Sequence, residues 1–233
     1  MEQIKFQVEF DRVIDILAKE IYDSSYALLR ENIQNAYDAI LMRSQYSEGS
    51  WSVTNDGVID VQILPDTIII TDNGIGMSES VLKNNFWKAG SSGKKTKLAM
   101  ESGVVGTFGI GGMANFGVSK KLVIETESVE TNERIISDVE KSKLSVTEDC
   151  INILKVSPTK DYGTKIIISL DDNVDINLEH AKQYLSSYVK YLPVTVKIND
   201  EVISLLSITE QFEDITASLQ KSWKQYQVKE YKA

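Results

Sequence analysis

Thr67-Ile68-Ile69-Ile70-Thr71-Asp72-Asn73-Gly74-Ile75-Gly76-Met77 is the stretch on which the reading of this chain turns. Its first half is apolar and β-branched, the composition of a strand packed on one face. Its second half is a carboxylate followed by Gly-x-Gly. An acid at a strand exit, with glycines beside it, leaves open space next to a strong hydrogen-bond acceptor. Such a carboxylate can accept from an exocyclic amine. Glycines let a ring approach the main chain, and the Met77 thioether can lie against a flat aromatic surface. An ordinary turn uses the same letters, because Asn-Gly and Asp are common turn residues. The stretch alone leaves both readings open.

Outward from it, the chain divides by pattern. Upstream, residues 57–64 read as a partner strand, separated from 66–71 around Pro65. Residues 24–42 read as a long helix with Ser24 or Ser25 as N-cap. Residues 4–10 alternate strictly, as a strand does, and 11–22 switch to helical spacing. Downstream, eight of the 13 glycines fall between Gly90 and Gly117, a segment defined by its backbone. Short strands follow at 121–126, 134–140, 151–156 and 164–170, then a helix at 178–191. Residues 194–198 and 201–204 form a hairpin through Asn199-Asp200, and 209–233 is helical in pattern. This order predicts an α+β fold: a two-layer sandwich, helices on one face of a mixed, mainly antiparallel sheet.

Composition bounds the function. The 233 residues, 42% apolar and 25% charged, suit one large domain with a small appendage and exclude collagen, low-complexity and coiled-coil classes. No apolar run approaches the length of a membrane span, and Met1 to Arg12 lacks a signal-peptide core. Cys150 is the single cysteine, so no internal disulfide forms and a reducing, cytoplasmic setting is expected. A net charge of −9 is a poor match for a phosphate backbone, so direct nucleic-acid binding is not expected.

Three further constellations carry chemistry. Glu31, Asn35 and Asp38 stand at i, i+4 and i+7 of the long helix, with Arg30 adjacent, so they stack along one face. Asn and Asp are weak helix formers, and the stripe offers carboxylates and an amide suited to a hard cation such as Mg²⁺; a plain solvated face has the same spacing. Gly106-Thr107-Phe108-Gly109-Ile110-Gly111-Gly112-Met113-Ala114 opens a predicted helix whose amides suit phosphate. It is not a P-loop, because Gly93-Lys94 is followed by Lys95 and position 88 is Lys. It meets the dinucleotide fingerprint literally but follows no strand. Finally, Gly163-Thr164 begins an apolar strand, which by itself says nothing.

In their order and spacing these pieces resemble the nucleotide-binding boxes of the gyrase, heat-shock chaperone, histidine kinase and MutL ATPase superfamily. The likeness is greatest to the ninety-kilodalton heat-shock chaperone family and covers residues 4–200. Phe6-Gln7-Val8-Glu9, the run from Tyr22 to Arg30-Glu31, the run from Asp72 to Asn84-Asn85, Gly106-Thr107-Phe108-Gly109-Ile110-Gly111 and Gly163-Thr164 carry it. The resemblance implies a Bergerat-type ATP-binding fold. It implies Glu31 as general base, Arg30 as its tuner, and Asn35 as the Mg²⁺ ligand, with Asp38 beside it in a supporting place. Asp72 would accept from the adenine amine, Thr164 would help through water, and Gly76 and Met77 would pack on the base. Asn85 would lie near ribose or phosphates. Residues 86–111 would be an ATP lid, with Ser92, Gly93, Lys94 and the amides of Gly106, Thr107, Phe108, Gly109, Ile110 and Gly111 on the nucleotide. Gly112 replaces an aromatic of the family, and Ser91 stands where its lid lysine does, which implies a looser lid.

The expected activity is slow ATP hydrolysis, with ATP or ADP and Mg²⁺ bound, in a domain spanning 1–205. Residues 206–233 are expected to connect to a further domain. ATP-driven lid closure, a homodimer and a client protein are the implied partners. The alternative is the ATPase switch of a DNA-associated (MORC- or MutL-like) or defence effector, since Ser91-Ser92-Gly93-Lys94 resembles the MORC-type members. A sensor kinase needs a phospho-accepting histidine before the ATP domain. The single histidine, His180, follows the last box.

Overall fold

The computed structural model describes residues 26–88, 115–145 and 147–205. Among these residues, alternation of apolar and polar side chains becomes one eight-stranded sheet. Its strands are β1 (Val58–Ile63), β2 (Thr67–Asp72), β3 (Ser119–Glu127), β4 (Arg134–Glu140), β5 (Asn152–Val156), β6 (Gly163–Leu170), β7 (Thr195–Ile198) and β8 (Glu201–Val202). The order is β5-β4-β3-β6-β2-β1-β7-β8. Among the described residues β1 and β7 pair in parallel and the other neighbours antiparallel. The mixed, mainly antiparallel sheet of the sequence reading is therefore what forms.

Register puts the apolar residues on one face. Ile70 lies opposite Val61 and Ile166, and Ile166 lies opposite Ile124; all four are buried. The long helix Ala27–Tyr46 covers this face with Leu29, Ile33, Ala36 and Ile40, a stripe at helical spacing. The helix Leu178–Val189 adds Ala181, Leu185 and Val189 to the same core. Each fully buried aliphatic side chain contributes about 1.5–3 kcal/mol. This layer contact therefore does more than intrinsic propensity to hold a helix containing two asparagines.

Two of the boundaries that differ from the sequence reading do so for a local reason. The long helix runs to Tyr46 rather than 42: Ser47 is its C-cap, and the left-handed pair Glu48 and Gly49, at φ 46° and 86°, turns the chain away. Its expected N-caps, Ser24 and Ser25, lie outside the described residues. The last strand ends at Val202 rather than 204, because the Ser204 side chain takes over the ladder. Its Oγ accepts from the Val196 amide at 2.8 Å and donates to the Val194 carbonyl at 2.7 Å. The turn before it is the expected one: Asn199 and Asp200 have φ of 45° and 69°, the signature of a type I′ hairpin. A helical turn at Val53–Asp56, capped by Ser52, and another at Glu79–Val81 that continues as a π-helical turn, Leu82–Phe86, have no counterpart in the sequence reading. The predicted strand at 4–10, the helix at 11–22, the glycine-rich segment up to 114 and the tail lie outside the described residues.

Candidate functional site

β2 delivers Asp72 to the end of the sheet. Its cross-strand partner on β6 is Thr164, and the partner of Thr164 on β3 is Thr126. The three side chains form one row on the helix-covered face. Asp72 is 8% exposed, and its Oδ1 accepts from the Gly74 amide at 2.8 Å. Burial pushes its carboxyl up to about 7 against the opposing pull of the Gly74 and Thr164 amides and the Arg43 charge. A buried acceptor with spare lone pairs is thus held at a strand exit.

Thr126 ties this floor together. Its Oγ1 accepts from the Met77 amide at 2.9 Å and lies 3.0 Å from the Gly163 carbonyl and 3.1 Å from Thr164 Oγ1. The Gly163 oxygen can only accept, so the Thr126 proton goes to it. Thr164 then donates to Thr126 and keeps its own lone pairs for another donor. Two glycines allow this closeness. Gly76 has φ 67°, and a Cβ there would strike the Glu127 carbonyl. Gly163 has φ 132°, and a Cβ there would strike the Asp72 carbonyl. Both are positions where backbone meets backbone.

The turn after β2 docks on the long helix. The Ile75 amide donates to the Ala39 carbonyl at 3.0 Å, and a Cβ on Gly74 would lie 2.6 Å from that of Ala39. Ala39 lies four residues beyond Asn35, so Glu31, Asn35 and the docked turn share a helix face. Glu31 is half-exposed and accepts from Arg30 Nη2 at 3.1 Å, and the Arg30 guanidinium lies 5.6 Å from the Tyr188 ring centroid. Asn35 is half-buried. Asp38 is buried and accepts from Gln34 at 3.1 Å, a bond within the helix itself. Asn85 is half-buried in the π-helical turn. The structure thus brings Asp72, Thr164, Gly76 and Met77 into one floor and sets Arg30, Glu31, Asn35 and Asp38 on the helix beside it. Ser92, Gly93, Lys94 and residues 106–111 lie outside the described residues.

Sequence reading missed several residues of this site. Thr126 looked like any strand threonine. Asn32, next to Glu31, donates through Nδ2 to Asn115 Oδ1 at 2.7 Å, which ties the helix to the chain just after the glycine-rich segment. Trp87 Nε1 donates to Ser137 Oγ at 2.9 Å and anchors the chain just before it. Asn73 bridges by its side chain to the Val58 amide at 2.9 Å and the Asp56 carbonyl at 2.7 Å. Among the described residues, no three acidic, histidine or cysteine side chains gather as a metal cluster. Hard oxygen donors on the helix are the Asn35 amide and the Glu31 carboxylate. No described helix is long and apolar enough to cross a membrane.

The chain is similar in sequence to known proteins. The sequence profile of the family described as histidine kinase-, DNA gyrase B- and HSP90-like ATPase matches residues 22–166. Heat shock protein 90-5, chloroplastic, of Arabidopsis thaliana is 30% identical over 190 residues, 74% of this chain and 24% of that protein. A chaperone protein HtpG from Vesicomyosocius okutanii is 27% identical, over 90% of this chain and 34% of its own length. The HtpG of Fusobacterium nucleatum is 28% identical, over 87% of this chain and 35% of its own length. The chain spans about a quarter to a third of the length of these curated relatives.

Proposed function

The chain belongs to the histidine kinase-, DNA gyrase B- and HSP90-like ATPase family, and from that premise we propose that residues 1–205 are the ATP-binding, slowly hydrolysing domain of a heat-shock-chaperone-like protein. Residues 206–233 connect it to a further domain. The observation that carries this reading is the buried Asp72 carboxylate, held by the Gly74 amide in the same row as Thr164. An unfilled acceptor at that depth suits a donor supplied by a ligand. The adenine amine is such a donor, with Thr164 reached through water and Met77 and Gly76 against the ring.

Hydrolysis by this site is mostly positioning and charge neutralisation. Glu31 orients the attacking water and takes its proton. The bond from Arg30 occupies one Glu31 oxygen, so Arg30 restrains the base. Mg²⁺ fits the donor set on the helix, because this ion binds through one or two protein oxygens plus the phosphates and keeps its remaining waters. Asn35 would hold it, and the ion would neutralise charge between the phosphates. By resemblance, residues 86–111 are the ATP lid, with Ser92, Gly93, Lys94 and the amides of 106–111 on the phosphates. Lid closure drives homodimerisation, and a further domain supplies the client site. Arg43 is clasped away from the helix stripe and Arg134 lies 3.9 Å from Glu127. Weak turnover is expected of this domain.

Calorimetric titration of ADP and ATP, with Mg²⁺, into the wild type and Asp72→Asn tests the reading. One nucleotide should bind per wild-type chain. The variant should lose it, because an Asn amide that keeps the Gly74 bond on its oxygen turns its NH₂ toward the adenine amine. A wild type that binds neither nucleotide overturns the proposal.

A further inference from the structure

Arg43, in the last turn of the long helix, serves no role in the site as read so far. Its guanidinium is stacked between two rings from different segments, 4.8 Å from the Trp51 centroid and 5.6 Å from that of Tyr162. Both lie within the range of a favourable cation–π contact. Nη1 donates at 2.6 Å to the carbonyl of Asn73, the residue that follows Asp72. Tyr162 stands two residues before Thr164, and its hydroxyl donates to Asn132 Oδ1 at 2.7 Å. One cation therefore meets the chain just after Asp72 and just before Thr164. Asn73, the carbonyl it grips, is itself cross-braced to Val58 and Asp56.

On the proposed reading of the site as an adenine pocket, we infer that Arg43 is a positioning residue for purine recognition. Its guanidinium, clasped between Trp51 and Tyr162, ties the strand exit bearing Asp72 to the strand start bearing Thr164, and sets the preference for an amino over a keto group at the purine 6-position. The geometry gives two separate effects. The clamp fixes where the Asp72 oxygens point. The charge behind the turn favours Asp72 as an acceptor, against the burial that favours its protonated form. An amino group needs the acceptor; a keto group does not.

The groups acting on Asp72 are few. From the long helix comes Arg43, and from its own turn the Gly74 amide. β6 presents the Thr164 amide, and β1 opposes Asp72 with apolar Ile59. Asp60 and Lys165 lie on the opposite face of the sheet by alternation. Burial holds Arg43 below the ordinary arginine range, and the carboxylates of Asp56 and Asp72 pull against that.

ADP and inosine diphosphate differ at the purine 6-position and share ribose and phosphates, so titrating both into the full chain isolates the effect. The wild type should prefer ADP, and its ADP affinity should fall as pH drops through about 7, where Asp72 takes up its proton. In Arg43→Met the ADP preference should shrink by about tenfold, the size of one tuned charge contact, and the fall should move to higher pH. Arg43→Lys should weaken ADP while leaving the pH profile in place, since the charge stays and the planar stack is lost. Tyr162→Leu removes one plate of the clasp without touching the charge, and should repeat the Lys result; it carries the test if Arg43→Met does not melt cooperatively. Equal losses for both nucleotides with an unmoved pH profile would mean a merely structural arginine and overturn the inference, as would wild-type behaviour of Arg43→Met and Tyr162→Leu. If Asp72→Asn binds ADP as the wild type does, the adenine reading itself fails, whatever Arg43 does.

Discussion

The two halves of the site are built from different material. At the sheet end, Asp72, Thr164 and Thr126 sit in register on three neighbouring strands, buried, with each hydroxyl and amide paired to the next. Two glycines bring carbonyls so close that no side chain fits. At the helix end, Glu31 and Arg30 are side chains on a helix surface, 31% and 39% exposed, joined by a single bond between neighbours in sequence. A strand ladder fixes positions without relying on side-chain rotamers, which suits recognition of a rigid purine. Exposed carboxylates can change partner at little cost, since such pairs are worth about 0–1 kcal/mol, which suits the role of base proposed for Glu31. Binding and turnover should therefore be separable by mutation.

The largest effect expected of that separation is at the helix end. Glu31→Gln keeps the size of the side chain and removes the proposed base. ATP turnover should fall by about 10²–10⁴-fold, the range for a lost general base. ADP affinity should stay within about twofold, and the melting temperature within a few degrees. Single-turnover hydrolysis beside calorimetry on the same preparation checks this. A variant that loses ADP binding along with turnover would mean the two halves are one cooperative unit.

The converse break is at the sheet end, and it has a pH sign. The folded-state value of Asp72, about 7, is raised above its ordinary 3.8. The folded state therefore holds a proton that the unfolded chain has lost. The stability from that proton is full below about 4, declines as pH rises, and is gone once pH passes the folded value. Asp72→Asn carries no such charge. Relative to wild type, the nucleotide-free variant should gain up to a few kcal/mol between pH 5 and 8. Urea melts at several pH values measure the difference, in which the oppositely shifted Glu127 and Glu133 cancel. A variant whose stability tracks the wild type across that window would show that Asp72 is ionised at little cost. The gain at pH 8 and the lost nucleotide together would mark Asp72 as a residue kept for binding at the expense of stability.

What the sequence made legible follows the same division. Asp72, Gly76 and Met77 could be read because an acid and two glycines after an apolar β-branched run are a local signal. The shared helix face of Glu31 and Asn35 could be read because helical spacing is local too. Thr126 could not: its role comes from pairing with a strand that begins 37 residues later, and register across that distance leaves no mark in the alternation of β3. Arg43 reads in sequence as a cation near a helix C-terminus, which the helix dipole alone explains. Only the tertiary approach of Trp51 and Tyr162 gives it a second meaning. The helix ended late for a simpler reason: residues 43–46 carry no stop signal, and the left-handed pair Glu48-Gly49 does.

Thr126 is where the smallest and most discriminating effect is expected. Thr126→Val keeps the shape and the strand preference but removes the acceptor for the Met77 amide and the donor to the Gly163 carbonyl. The hydroxyl is buried, so the partners it leaves have no water to turn to. The cost should be about 1–3 kcal/mol of stability, and ADP should weaken by about three- to tenfold as Met77 and Thr164 lose their common anchor. Thr126→Ser retains the hydroxyl and gives up one methyl, so it should recover most of the affinity while keeping a stability deficit of about 1 kcal/mol. Turnover at saturating ATP should stay within about twofold of wild type in both variants, because Glu31 and Asn35 lie on a different element. If Thr126→Val instead lowers saturated turnover more than it weakens ADP, the sheet end is positioning the phosphates as well as the base, and the division drawn between the two halves is in the wrong place.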